Sequence, residues 1–106
     1  MGALDFLKPP DINAGVEEYR KQAGAALLDV RSPQEYREGH IPGSLNLPLH
    51  RIYDVEEMIE NKDIPLFVYC RSGARSGRAA AELQQMGYTN AKNIGGNAAY
   101  SGEIIG

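Results

Sequence analysis

One stretch of the chain concentrates the groups able to do chemistry: Cys70-Arg71-Ser72-Gly73-Ala74-Arg75-Ser76-Gly77-Arg78. A thiol becomes a nucleophile as its thiolate, so the question is what would hold negative charge on the Cys70 sulfur. Consecutive backbone N–H groups in a tight, glycine-bearing turn form an anion-binding nest, and a following helix adds the positive end of its dipole. Arg71 and Arg75 bring permanent positive charge to the same place. Three of the eleven basic residues of an acidic chain fall within these nine positions, so the patch is local. Together these features should depress the Cys70 pKa from about 8.5, and the same cradle would hold a small anionic substrate over the sulfur. Ser72 and Ser76 could cap the helix, donate to the thiolate, or do both. Arg78 lies about a turn further on and reads as a solvated charge.

The rest of the composition narrows the possibilities. With 106 residues, the chain is expected to be one domain. A net charge of −3 and a pI near 5.3 do not suit a nucleic-acid binder. No apolar run approaches the roughly 18 residues that span a bilayer, and the first ten residues lack the pattern of a secretory signal. The expectation is a cytoplasmic protein with no membrane or nucleic-acid partner. A single cysteine permits neither an internal disulfide nor a cysteine-based zinc site. Neither metal nor cofactor is expected.

Something must hold that loop in place, and the apolar pattern says what. Residues 25–30 form a short, nearly uninterrupted apolar run, suited to a strand covered on both faces. A second candidate strand covers 45–47. The clearest is 64–70, with Pro65 at its start and Cys70 at its end, and a last one covers 91–94. Asp11-Ile12-Asn13 is either a short edge strand or a helix entry. Between these runs the period changes to three and four. Val16, Tyr19 and Ala23 mark one amphipathic helix, stopped at Gly24; Ile52, Val55 and Ile59 mark another; Ala79, Ala80, Leu83 and Met86 mark a third, from Ser76 to Gly87. Ser32, Pro33 and Glu35 make a capping box for a short helix ended by Gly39. Strands alternating with helices mean an α/β domain with a mainly parallel sheet, whose ligands bind at the carboxyl ends of the strands. Cys70 stands at such an end.

Here the sequence resembles the rhodanese family, from about residue 11 to residue 100. Leu27-Leu28-Asp29-Val30-Arg31, Glu35-Tyr36 and Gly39-His40-Ile41-Pro42-Gly43-Ser44 are similar to its first signature. The Cys70 loop is similar to its catalytic signature. Asn93-Ile94-Gly95-Gly96-Asn97-Ala98-Ala99-Tyr100 is similar to its last, with Tyr100 where tryptophan is commoner. The resemblance implies a five-stranded, mainly parallel sheet flanked by helices on both faces, with residues 11–106 as the domain and 1–10 as an extension. It also implies ping-pong sulfur transfer. The Cys70 thiolate takes a sulfur atom from a donor such as thiosulfate as a persulfide, then yields it to a thiol, cyanide or protein acceptor. Arg71 and Arg75 would hold the donor's oxygens, and the loop through Ser72, Gly73, Ala74 and Ser76 would stabilise the charged sulfur.

Two other readings accompany this one. Rhodanese-like domains also serve as docking or sulfur-relay modules, although Cys70 and both arginines are present here. Related cysteine phosphatases and arsenate reductases use the same kind of loop. The phosphatase loop, however, carries five residues between cysteine and arginine, and Cys70 and Arg75 enclose only four. The narrower ring favours sulfur over phosphate. Asp29, Arg31, Glu35 and His40 are read as supports that tie loops together beside the site. With no second half to the domain, the sulfur is expected to be relatively open.

Overall fold

In the computed structural model, which describes residues 10–106, the strands and helices alternate along the chain. Helix α1 (Ile12–Lys21) begins at Asp11, whose carboxylate accepts the amides of Asn13 and Ala14. Strand β1 (Ala26–Asp29) leads to α2 (Pro33–Glu38), then β2 (Ser44–Asn46). A 3-10 segment (Leu49–Asp54) runs into the single-turn α3 (Val55–Met58). Strand β3 (Leu66–Cys70), helix α4 (Ala74–Gln85), strand β4 (Ala91–Gly96) and a 3-10 turn (Asn97–Ala99) complete the order.

The sheet has four strands in the order β2-β1-β3-β4, all parallel. The expected fifth strand is absent among the described residues. Segment 11–13, open between an edge strand and a helix entry, is the capped entry to α1, because Asp11 offers its side chain to amides that a strand would have paired laterally. The chain's final turn contributes only an isolated antiparallel bridge between His40 and Ile105. Two other elements differ from the sequence pattern. Helix α1 ends at Gln22, which is already extended, and Gly24 (φ +81°) serves the turn into β1. The Ile52–Val55–Ile59 stripe is shared between a 3-10 segment and one α turn, with a break at Arg51. Residues 1–9 of the expected extension lie outside the described part.

Both faces of the sheet are covered, which is why β1 and β3 read as continuous apolar runs. Side chains alternate across β3. Leu66, Val68 and Cys70 face a core made with Leu28, Val30, Val55, Ala79 and Leu83, under α4 and α3. Phe67 and Tyr69 face the other core, with Leu27, Ile41 and Ile94 beneath Ile12 and Val16 of α1. All five β3 residues are buried. A strand fixed from both sides is a rigid mount for whatever sits at its end, and Cys70 is its last residue.

The β3–β4 ladder slips once. Val68 pairs with Asn93, but Tyr69 pairs with Gly95 and Cys70 with Gly96. The extra residue is a bulge that brings Gly96 level with the cysteine.

Candidate active site

The loop between β3 and α4 turns on Gly73, whose φ of +98° is left-handed and leaves little alternative to glycine. With Gly73 as N-cap, the capping residue of α4 has no side chain to accept its first amides. The Cys70 sulfur takes that place. Its Sγ accepts the Gly73 amide at 3.0 Å and the Ser76 amide at 3.4 Å. The sulfur thus terminates two N–H groups that a serine or aspartate would ordinarily satisfy. Ser72 assists more weakly, with its Oγ accepting the Ala74 amide at 3.4 Å.

Burial of Cys70 pushes its thiol pKa up. The Ser76 hydroxyl and amide and the Gly73 and Ser72 amides outweigh that effect, leaving the thiol below its ordinary value. The Ser76 hydroxyl is shared: it stands 3.4 Å from the sulfur but only 2.6 Å from Asn93 Oδ1. One proton cannot serve both, so the amides are the sulfur's steady donors. The loop amides expected from the sequence are among the leading causes of this shift, and the two arginines are not.

The arginines have separate fates. Arg75 donates Nη1 and Nη2 to the two oxygens of Glu35, at 2.7 and 3.0 Å. The bidentate bond to Arg75, against a smaller opposing effect of burial, holds the Glu35 carboxyl down at about 2. Glu35 Oε1 also accepts the Ser32 amide while Ser32 Oγ accepts the Glu35 amide, so the predicted capping box is present. One side chain therefore starts α2 and holds Arg75. The Arg71 side chain is exposed and has no ion pair among the described residues. Its backbone is fixed: the Arg71 carbonyl accepts the Ala98 amide at 3.1 Å. Gly96 lies so close beneath that a Cβ there would stand 2.1 Å from the Arg71 oxygen. The exposed Ala74 adds only backbone to the loop.

The remaining supports act at a distance from the sulfur. Asp29 and Arg31 form a buried pair, closest at 2.6 Å, and Arg31 Nη2 also donates to the Gly39 carbonyl. This pair joins the end of β1 to the segment after α2. Beside it, the Tyr69 hydroxyl accepts the Ile41 amide and meets Ser44 Oγ. The His40 ring stacks on Tyr36 at 3.7 Å, and its Nδ1 donates to the Tyr36 carbonyl. Of the four expected supports, only Glu35 touches the Cys70 loop.

Three features escaped the sequence pattern. Asn93 accepts from Ser76 Oγ and from the Gly95 amide and donates Nδ2 to the Gly73 carbonyl, pinning the loop to β4. Its place in the third motif was a signal, but motif membership says nothing about direction. Arg78 is exposed, and it also lines a cavity of about 470 Å³ with Arg75, Ser32, His50 and Tyr53. Its spacing of three from Arg75 puts both on one helix face. Finally, Cys70 is fully buried in this conformation, not open as expected, because the Gly73 turn and α4 fold over the sulfur.

The family model for the rhodanese-like domain matches residues 13–103. The protein YqhL of Bacillus subtilis is 41% identical over 87 residues, covering 81% of this chain and 66% of that protein. The thiosulfate sulfurtransferase PspE of Escherichia coli is 37% identical over 70 residues, covering 65% of this chain and 67% of the relative. The chain thus spans about two thirds of the length of these curated relatives. A solved structure described as rhodanese with anions from E. coli superposes with a TM-score of 0.72 at 31% identity, covering 77% of this chain and 98% of that one. The α/β architecture with its cysteine loop at the end of β3 is the rhodanese-like fold.

Proposed function

Because this chain belongs to the rhodanese-like domain family, we propose that it is a sulfurtransferase working through a persulfide on Cys70. The Cys70 thiolate attacks the outer sulfur of thiosulfate, forming an S–S bond. The S–S bond of the donor breaks, and its electron pair leaves on sulfite. An acceptor thiolate or cyanide then attacks the outer persulfide sulfur, and the electron pair of the breaking bond returns to Cys70. Each half-reaction conserves charge and needs no cofactor or oxidant. A reduced, solitary thiol suits a cytoplasmic setting.

The observation that carries this reading is the sulfur's place as acceptor of the Gly73 and Ser76 amides at the start of α4. Fixed N–H dipoles stabilise charge on the thiolate and on the persulfide without rearranging when it forms. In the donor step Arg71 and Arg75 meet the departing oxyanion. Arg75 keeps Nε–H free of Glu35, and Arg71 is exposed and without an ion pair among the described residues. A ring of only four residues between Cys70 and Arg75 supports sulfur as the cargo in preference to phosphate.

The test is direct. Protein treated with thiosulfate and desalted should gain about 32 Da, the mass of one sulfur atom, and lose it in a single burst on addition of cyanide or dithiothreitol. With Cys70 as the only cysteine, no internal disulfide competes. A chain that acquires no sulfur from thiosulfate would point instead to a docking module.

A further inference from the structure

The cavity beside the loop has features that thiosulfate does not require. Its floor is apolar, built from Val30, Pro48, Leu49 and Ile52, and its α4 wall presents Arg75, Arg78 and Glu82 at helical spacing. These charged groups are not equivalent. Arg75 is committed to Glu35. Glu82 is drawn across the groove to the Tyr53 hydroxyl, which donates to Oε2 at 3.0 Å. Arg78, one turn from Glu82, makes no ion pair with it or with any other described residue. A groove that meets the cysteine loop at Arg75 therefore contains, among the described residues, one guanidinium without an ion pair, about one helical turn beyond Arg75, or roughly 5 Å along the axis.

We propose that this groove is the acceptor subsite and that Arg78 selects small thiols bearing a carboxylate. The inference rests on the sulfur-transfer reading given above. The volume suits a molecule of small-peptide or amino-acid size. With the carboxylate on Arg78 and the carbon chain along Leu49 and Ile52, the thiolate points back toward Arg75 and the outer persulfide sulfur. The reaction is the balanced one already described: the new S–S bond forms on the acceptor, and the pair from the broken bond returns to Cys70. Arg78 takes no part in that exchange. It determines which acceptor is held.

The experiment loads the whole chain with thiosulfate, verifies the persulfide by mass, and measures discharge by 3-mercaptopropionate, 2-mercaptoethanol and cysteamine, which differ in charge. Comparing each variant with the parent cancels the reagents' intrinsic reactivities. In Arg78→Ala the preference for 3-mercaptopropionate over 2-mercaptoethanol should fall about fivefold, in the range of a partly exposed charge contact. Arg78→Lys should keep most of it, and Arg78→Glu should shift preference toward cysteamine. If the ratios of all three variants match the parent, Arg78 does not select the acceptor and the proposal fails. Failure of the parent to load sulfur would show instead that the underlying reading is wrong, and the acceptor subsite would fall with it.

Discussion

Replacing Glu35 with glutamine isolates the charge of the Glu35–Arg75 contact, because a glutamine oxygen can still accept the Ser32 amide and preserve the start of α2. The carboxyl is held down from an ordinary 4.5 to about 2, chiefly by Arg75. At about 1.4 kcal/mol per pH unit, this corresponds to a ceiling of about 3 kcal/mol. The contact is not sealed, however: the carboxylate is 29% exposed and the guanidinium 39%. Solvent screening at such exposure brings the expectation to about 1–1.5 kcal/mol at pH 7. The sign follows from a folded-state pKa below the unfolded one. The stabilisation is complete above pH 4.5 and fades as pH falls toward 2. Urea unfolding followed by circular dichroism should therefore separate parent and variant midpoints by about 1 M at pH 7, for a slope near 1 kcal/mol per molar. The two curves should converge at pH 2–2.5, and about 0.5 M salt should narrow the gap at neutral pH. A gap that persists undiminished at pH 2 would show that glutamine disturbs packing or the cap, and that the ion pair is not its source.

Other substitutions test the sulfur's surroundings. Cys70→Ser should abolish thiosulfate:cyanide sulfur transfer with an unchanged circular dichroism spectrum, and appreciable turnover would exclude the persulfide route. Ser76→Ala should raise the pH midpoint of Cys70 alkylation, because a hydroxyl that lowers the thiol pKa is lost while the Gly73 and Ser76 amides remain; a fall in the midpoint would contradict that sign. Inserting one glycine between Gly73 and Ala74 should give a folded chain with impaired sulfur transfer, and parent-rate transfer would remove the ring-size argument. Gly96→Ala should lower thermal stability and slow sulfur loading together, because its Cβ meets the Arg71 carbonyl with no side chain free to yield. Parent-like behaviour in both measurements would refute the close approach.

Sequence reasoning reached as far as local signals extend. The strand ending at Cys70 was legible because a chain buried on both faces must be apolar throughout, and β3 is so buried. The loop and helix after it were legible because glycines and the three-four period act within one or two turns. Partners across the fold were not. Glu35 is 40 positions from Arg75 and Asn93 is 20 from Gly73, and nothing in either segment announces its partner. The fifth strand came from family resemblance, and of the two readings open for residues 11–13 the capping aspartate decides for the helix entry. Arg78 is solvated, as its outward helix position implied, but the wall that residues 48–53 build opposite it was not legible from that position.

The contact of Gly96 with Arg71 reaches further than packing. A trans peptide is a flat plate with its C=O and N–H directed oppositely. The Arg71 oxygen is drawn toward the end of β4, where the Ala98 amide binds it and the bare glycine backbone leaves room for it. The N–H on the other edge of that plate belongs to Ser72, and so it must turn inward, toward the sulfur whose thiol it helps to depress. A missing side chain on one strand thus acts as a compass for a dipole on the neighbouring loop. The polarity around the sulfur is set partly by which residues are absent, so a search restricted to charged or hydroxyl-bearing side chains would overlook Gly96 among the positions that govern it.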